Sequence, residues 1–175
     1  MEAYDGPDDR ASHARFGTTP RTAAMFGPPG VAYVYLVYGM YDCLNVVTGT
    51  EDVASAVLIR AIEPLDGLDG MRAGRAHQRA RRRSHVAGGD RTPDARLASG
   101  PGLVGAAFGI DVAWTGTDLC SPESPLRLER PPGGRPVERI VASPRVGVTY
   151  AGPEWASRPW RFSIAGHPSV SRPAP

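Results

Sequence analysis

Lysine is missing altogether: the 20 basic side chains of this 175-residue chain are all arginines. A Schiff base on a side-chain amine is therefore excluded, and the chain's own N-terminus is its one primary amine. Cysteine is nearly absent too. Cys43 and Cys120 have neither CxxC spacing nor a histidine cluster nearby, so the sequence suggests no zinc site and no disulfide framework, and a reducing compartment fits best. No apolar run has membrane-spanning length, and Met1 leads straight into the charged segment EAYDGPDDR, which is not a signal-peptide pattern. The glycines between Leu97 and Ile110 lack the GxGxxG and GxxxxGKS/T spacings, which excludes a dinucleotide or ATP phosphate loop.

Turn-forming residues are plentiful. With 21 glycines, 18 prolines and a 41% hydrophobic content, the chain fits a single, mixed and strand-rich domain better than a helical bundle. The net charge of +2 is small, but seven arginines (Arg72, Arg75, Arg79, Arg81, Arg82, Arg83 and Arg91) lie between Met71 and Arg91 against one acid, Asp90. This stretch reads as a short helix followed by a loop, either a solvated face or a surface for a polyanion.

The stretch that organises the chain runs from Gly30 to Val47, GVAYVYLVYGMYDCLNVV. Its apolar and aromatic residues alternate with period two, and Tyr38-Gly39-Met40-Tyr41 interrupts them where the chain can reverse, so a β-hairpin is predicted. Alternation puts Tyr33 and Tyr35 on one face and Val34, Leu36 and Tyr38 on the other. Two readings stand: a half-buried aromatic hairpin, or a stacking platform for flat rings with Tyr38 and Met40 at the tip as a wedge into a base stack.

At the N-terminal end, Glu2 and Tyr4 would project to the same side of a strand, and the turn Asp5-Gly6-Pro7-Asp8 would return His13 to them. A carboxylate beside a histidine can position and deprotonate a water; the alternative is a set of solvated surface charges. Asn45, amid apolar neighbours, is either a structural bracket or a polar reader in a pocket. Arg60, inside the apolar run from Ser55 to Leu65, is either half of an ion pair or a ligand contact. Leu97 to Ile110 suits a turn and a small-residue helix opening at Gly100-Pro101. Pro122 to Arg139 reads as loops and edge strands, strand signals recur at Arg145–Tyr150 and Trp160–Ala165, and the residues from His167 to Pro175 read as a poorly ordered tail.

The segments MEAYDGPDDRASHA, MFGPPGVAYVYLVYGMYDCLNVV, AVLIRAIEPLDGLDGMR, SGPG, RVGV and PWRFSIAGHPSVS occur in this order. Together they resemble the alkyladenine (3-methyladenine) DNA glycosylases over nearly the whole chain. The resemblance implies one mixed α/β domain around a curved, partly barrel-like antiparallel sheet flanked by helices, with a β-hairpin inserted into DNA. It implies a monomer acting in the cytoplasm, at the bacterial nucleoid, on double-stranded DNA that contains damaged purines, with no membrane association, metal or cofactor. The implied reaction is hydrolysis of the N-glycosidic bond of an alkylated or deaminated purine, without cutting the strand.

Carried over by position, Glu2 matches the general base on the attacking water, and His13 and Arg60 match residues that help hold it. Tyr4, His13 and Tyr35 match the rings that sandwich the extruded base, and Asn45 matches a pocket asparagine that discriminates against guanine's exocyclic amine. Tyr38, with Met40 beside it, matches the residue that enters the gap in the duplex. Such chemistry needs these residue types. Extruding a base costs a few kcal/mol, aromatic stacking returns ~1–3 kcal/mol per base, and a carboxylate both activates water and stabilises the positive sugar. Two departures stand out. Family members carry a segment before the motif glutamate, so an N-terminally truncated domain is expected, with a non-catalytic DNA-binding remnant as the alternative. Leu103 stands where family members commonly have a lysine that contacts the DNA backbone.

Overall fold

A computed structural model describes residues 1–81, 90–130, 133 and 139–171. The alternating segment forms the predicted hairpin, β2 (Ala32–Val37) and β3 (Tyr41–Thr48), in register from Ala32↔Val46 to Val37↔Tyr41. With β1 (Glu2–Tyr4), β4 (Ser55–Leu58), β5 (Ile140–Ser143) and β6 (Arg161–Ile164) it makes a six-stranded antiparallel sheet in the order β2-β3-β4-β1-β6-β5. The sheet does not close into a barrel. Its β2 edge is covered by the loop at 115–118, whose main chain exchanges hydrogen bonds with Ala32 and whose Thr115 hydroxyl bonds both the N–H and the C=O of Val34.

Among the described residues three α-helices accompany the sheet: α1 (Leu68–Arg81), α2 (Pro101–Phe108) and α3 (Pro153–Ser157). The hairpin end of the sheet is buried on both faces. Tyr33, Val47 and Ala56 pack with Ala14 and Met25 on one face, while Ala32, Val34, Leu44 and Val46 pack with Ile110 and Leu119 on the other. Alternation therefore places Tyr33 and Val34 on opposite faces as predicted, and both are buried.

Alternation stops short of Tyr38, which lies outside β2 in the turn and does not belong to the Val34 face. Met40 N–H donates to Val37 O (3.0 Å) across that turn, and Tyr38 (φ 54°) and Gly39 (φ 64°) both adopt the left-handed conformation of a type I′ hairpin. For a tyrosine this costs about 1–2 kcal/mol, and the side chain it presents is 86% exposed.

Three further expectations need correction. The strand predicted at Arg145–Tyr150 stands earlier, at Ile140–Ser143, because Pro144 has no N–H to continue a ladder and Gly147 turns the chain at φ 78°. Residues 145–151 form a bend and a 3-10 turn instead. The expected C-terminal tail is packed as far as Ser171. His167 pairs with Glu63 (3.4 Å), Arg161 donates to Ser171 O (3.2 Å), and Ser169 is buried; residues 172–175 lie outside the described residues. Finally, the arginine-rich segment forms α1 but is not a bare solvated face. Arg75 (2.8 Å) and Arg79 (2.7 Å) both reach Asp90, and Arg72 reaches Asp94. Burial alone would raise the Asp90 carboxyl, yet hydrogen bonds from Arg75, Thr92 and Arg79 outweigh it and hold the group well below the usual carboxylate range. Arg82, Arg83 and the residues to 89 lie outside the described residues.

Helix α2 is pressed against β3. A methyl group on Gly105 would stand 2.2 Å from the main-chain oxygen of Asp42, and one on Gly102 would stand 2.4 Å from the Tyr41 ring. Gly105→Val should therefore cost about 1–3 kcal/mol by overpacking. A urea titration with an unshifted midpoint would show that α2 is not seated this way.

Candidate active site

Glu2 sits in β1, between β4 and β6, with Leu58 on one side and Arg161 on the other. Its side chain is completely buried, and three donors converge on it. Val146 N–H donates to Oε1 (2.8 Å), while Arg60 Nη1 (3.1 Å) and the Tyr4 hydroxyl (3.2 Å) donate to Oε2. Charge-assisted bonds of this kind fix a carboxylate's position closely. Arg60 is thus half of an ion pair, with its Nε buried and without a hydrogen-bond partner among the described residues.

Beside this carboxylate lies a pocket lined by Tyr4, His13, Met25, Tyr33, Tyr35 and Asn45, with Tyr150 at its rim. Four of the residues singled out from sequence, Tyr4, His13, Tyr35 and Asn45, are brought together here; Glu2 joins them through the Tyr4 hydroxyl, and Arg60 through Glu2. Tyr38 and Met40 stand apart at the hairpin tip. The His13 and Tyr35 rings touch edge to face, with centroids 4.6 Å apart at 83°, so no parallel slot is open between them.

His13 Nδ1 lies 2.9 Å from the Tyr33 hydroxyl. Burial, together with the positive charges of Arg21 and Arg15, pulls its pKa down to about 4, so the imidazole is neutral at physiological pH. Burial raises the Tyr4 hydroxyl, and Glu2 adds to that shift; burial likewise raises Tyr35. Both stay protonated, as donors. Asn45 uses its amide nitrogen on two main-chain carbonyls, Tyr33 O (3.0 Å) and Cys43 O (3.2 Å), and still lines the pocket. Bracket and pocket residue are therefore the same side chain.

Sequence reasoning gave no role to Tyr33, Asp9, Arg145, Val146 or Tyr150. Tyr33 was visible in the hairpin, but nothing in its spacing announces the bond to His13. Arg145 and Asp9 form a buried bidentate pair, and Arg145 Nη1 also donates to Ala3 O (2.9 Å), next to Glu2. Contacts so distant along the chain leave no local pattern.

A family described as methylpurine-DNA glycosylase (MPG) matches residues 1–168. The chain belongs to this family. The resemblance drawn from the hairpin and the flanking motifs is thereby borne out. Among curated relatives, a "Putative 3-methyladenine DNA glycosylase" of Anaeromyxobacter dehalogenans (strain 2CP-C) is 49% identical over 175 residues, covering 99% of this chain and 70% of the relative. A DNA-3-methyladenine glycosylase of Arabidopsis thaliana is 43% identical over 173 residues, covering 99% of this chain and 61% of the relative. As a member of the methylpurine-DNA glycosylase family, the chain carries its buried carboxylate on β1, while the pocket draws Tyr4 from β1, Tyr33 and Tyr35 from β2, Asn45 from β3, and His13, Met25 and Tyr150 from 3-10 turns.

A pH dependence follows from His13. The unfolded chain takes up this proton near pH 6.5, the folded chain only near 4. Between those values the unfolded state binds more protons, so stability falls as the pH drops from about 6.5 to about 4. His13→Gln should remove that slope. Urea midpoints of wild type and variant at pH 7.5, 6, 5 and 4.5 test it, and parallel curves would refute it.

Proposed function

We propose that this chain hydrolyses the N-glycosidic bond between deoxyribose and an alkylated or deaminated purine in double-stranded DNA, leaving an abasic site. The observation that carries the reading is the Glu2 carboxylate, fully buried, held by three donors and linked through Tyr4 to an aromatic pocket. In this mechanism Glu2 accepts a proton from water as the water oxygen bonds to C1′ and the base departs with the electrons of the C1′–N bond. The positive character on the sugar develops beside the same carboxylate. Arg60 and the Val146 N–H keep the carboxylate from turning away, and His13 and Arg60 help hold the water. A base already carrying a positive charge leaves as a neutral molecule, and a neutral His13 does not repel it; a deaminated purine departs with the same electron pair as an anion and takes up a proton from solvent.

Tyr4, His13 and Tyr35 stack against the extruded base, which enters as the edge-to-face contact of His13 and Tyr35 opens. Asn45 reads the base edge. Tyr38, with Met40, fills the gap left in the duplex: its exposure and left-handed backbone, stiffened by the turn, suit a wedge. The absence of lysine supports a route through water rather than through a Schiff base, so the strand stays intact. Duplex DNA with one 3-methyladenine or hypoxanthine, treated with alkali after incubation, tests the reaction. Breaks that appear only after alkali are the expected result; breaks before alkali, or none from folded protein, would overturn it.

Two variants test the roles. Glu2→Gln should lower base release by about 10²–10⁴-fold, the usual contribution of a general base, while lesion binding changes little. Equal loss of both would remove Glu2 from the chemistry. Tyr38→Ser should weaken binding to a lesion duplex by about 1–3 kcal/mol, the value of one stacked base, and leave single-strand binding nearly unchanged. Equal losses on the two substrates would count against the wedge.

A further inference from the structure

The arginines that look most suited to DNA in the sequence are largely committed elsewhere. Arg72, Arg75 and Arg79 on α1 are paired with Asp90 and Asp94, and Arg60 and Arg145 with Glu2 and Asp9. Arg15 and Arg21 differ. Both are exposed, and among the described residues neither has a carboxylate partner. Each instead lies over rings at the pocket, Arg15 with one guanidinium N–H given to Arg10 O and Arg21 with one hydrogen bond to the Tyr33 side chain, which leaves each with further N–H groups to offer. The Arg15 guanidinium carbon is 4.4 Å from the centroid of Phe16 and 5.3 Å from that of Tyr150; for Arg21 and Tyr35 the distance is 5.7 Å. Tyr150 and Tyr35 both line the pocket, and the charges of both arginines are felt at His13 inside it.

From this arrangement, and resting on the glycosylase reading above, we infer that Arg15 and Arg21 hold the two phosphodiester groups that flank the extruded nucleotide. A nucleotide rotates out about its own backbone, so both of its phosphates come to the pocket mouth with it. A guanidinium can give two parallel N–H bonds to a phosphate, and its stacking on a ring limits the freedom it must lose on doing so. Phe16 and Tyr150, 67% and 61% exposed, have their rings turned to Arg15 at a surface where an apolar contact with solvent gains nothing. They act as a rest for that guanidinium.

The test uses a duplex with one 2′-fluoro hypoxanthine nucleotide, which resists base release, so that binding is measured without turnover. Arg15→Gln and Arg21→Gln should each make the slope of log affinity against log salt shallower by about 0.9; Arg15→Lys and Arg21→Lys, which keep the charge, should restore most of it. Neutral methylphosphonates in place of the two flanking phosphates should weaken wild-type binding severalfold yet cost the double glutamine variant nothing further. Additive losses, or unchanged slopes, overturn the clamp. The unmodified chain on unmodified hypoxanthine duplex separates the two claims: base release with additive losses defeats the clamp alone, and no release from folded protein defeats the glycosylase reading and the clamp with it.

Discussion

Asp9 and Arg145 are both sealed from solvent, and neither charge would be tolerable there without the other. Their bidentate contact is one part of a larger junction. Asp9 also accepts the N–H groups of Asp5 (3.3 Å) and Ala11 (2.9 Å), which shapes the turn after β1. Arg145 donates to Ala3 O in β1 and to Trp155 O (3.3 Å) in α3, and its guanidinium lies between the rings of Tyr4 (4.8 Å) and Trp160 (5.0 Å). One ion pair thus fixes the strand that carries Glu2, the turn that delivers His13, the face of Tyr4 and the loop whose Val146 N–H meets Glu2. Removing either partner would leave a buried charge uncompensated, a loss of about 3–5 kcal/mol in comparable cases.

Glu2 gains its placement from that junction by two routes. β1 is only three residues long, too short to be held by its ladder alone, but it is paired on both sides, and its neighbour Ala3 is tied to Arg145. The donors on the carboxylate come from β1 itself, from the residues after β4 and from the loop after β5. Three separate segments must therefore be in register before the group points where it does. This is preorganisation from supporting residues rather than from the carboxylate's own strand.

The sequence was most informative where chemistry and periodicity coincide. The hairpin, its turn and the helix opening at Gly100-Pro101 follow from alternation and from glycine and proline, and all three are present. The pocket was legible only in part: Tyr4 and His13 stood out by their spacing from Glu2, Tyr35 by its place in the hairpin and Asn45 as a polar residue among apolar ones, and the family resemblance alone gathered them into one site, whereas Tyr33, Asp9 and Arg145 matter because of partners far along the chain. The misplaced strand at Arg145–Tyr150 has the same cause. Its residues have strand-forming side chains, but Arg145 and the Val146 N–H are engaged by Asp9 and Glu2, and Pro144 and Gly147 break the ladder. In the arginine-rich stretch, counting charges overlooked that a single acid, Asp90, can serve two guanidiniums at once.

The packing of α2 on β3 through Gly102 and Gly105 gives the hairpin an uneven stiffness. α2 holds the start of β3 at Tyr41 and Asp42, Gln78 of α1 donates to Met40 O (3.4 Å), and Tyr38 in the turn is 86% exposed. The hairpin is in effect a short arm clamped close to its end: α2 seats against Tyr41 and Asp42, the first residues of β3, so only the turn extends past the clamp and the exposed Tyr38 ring stands on a stub too short to sway far.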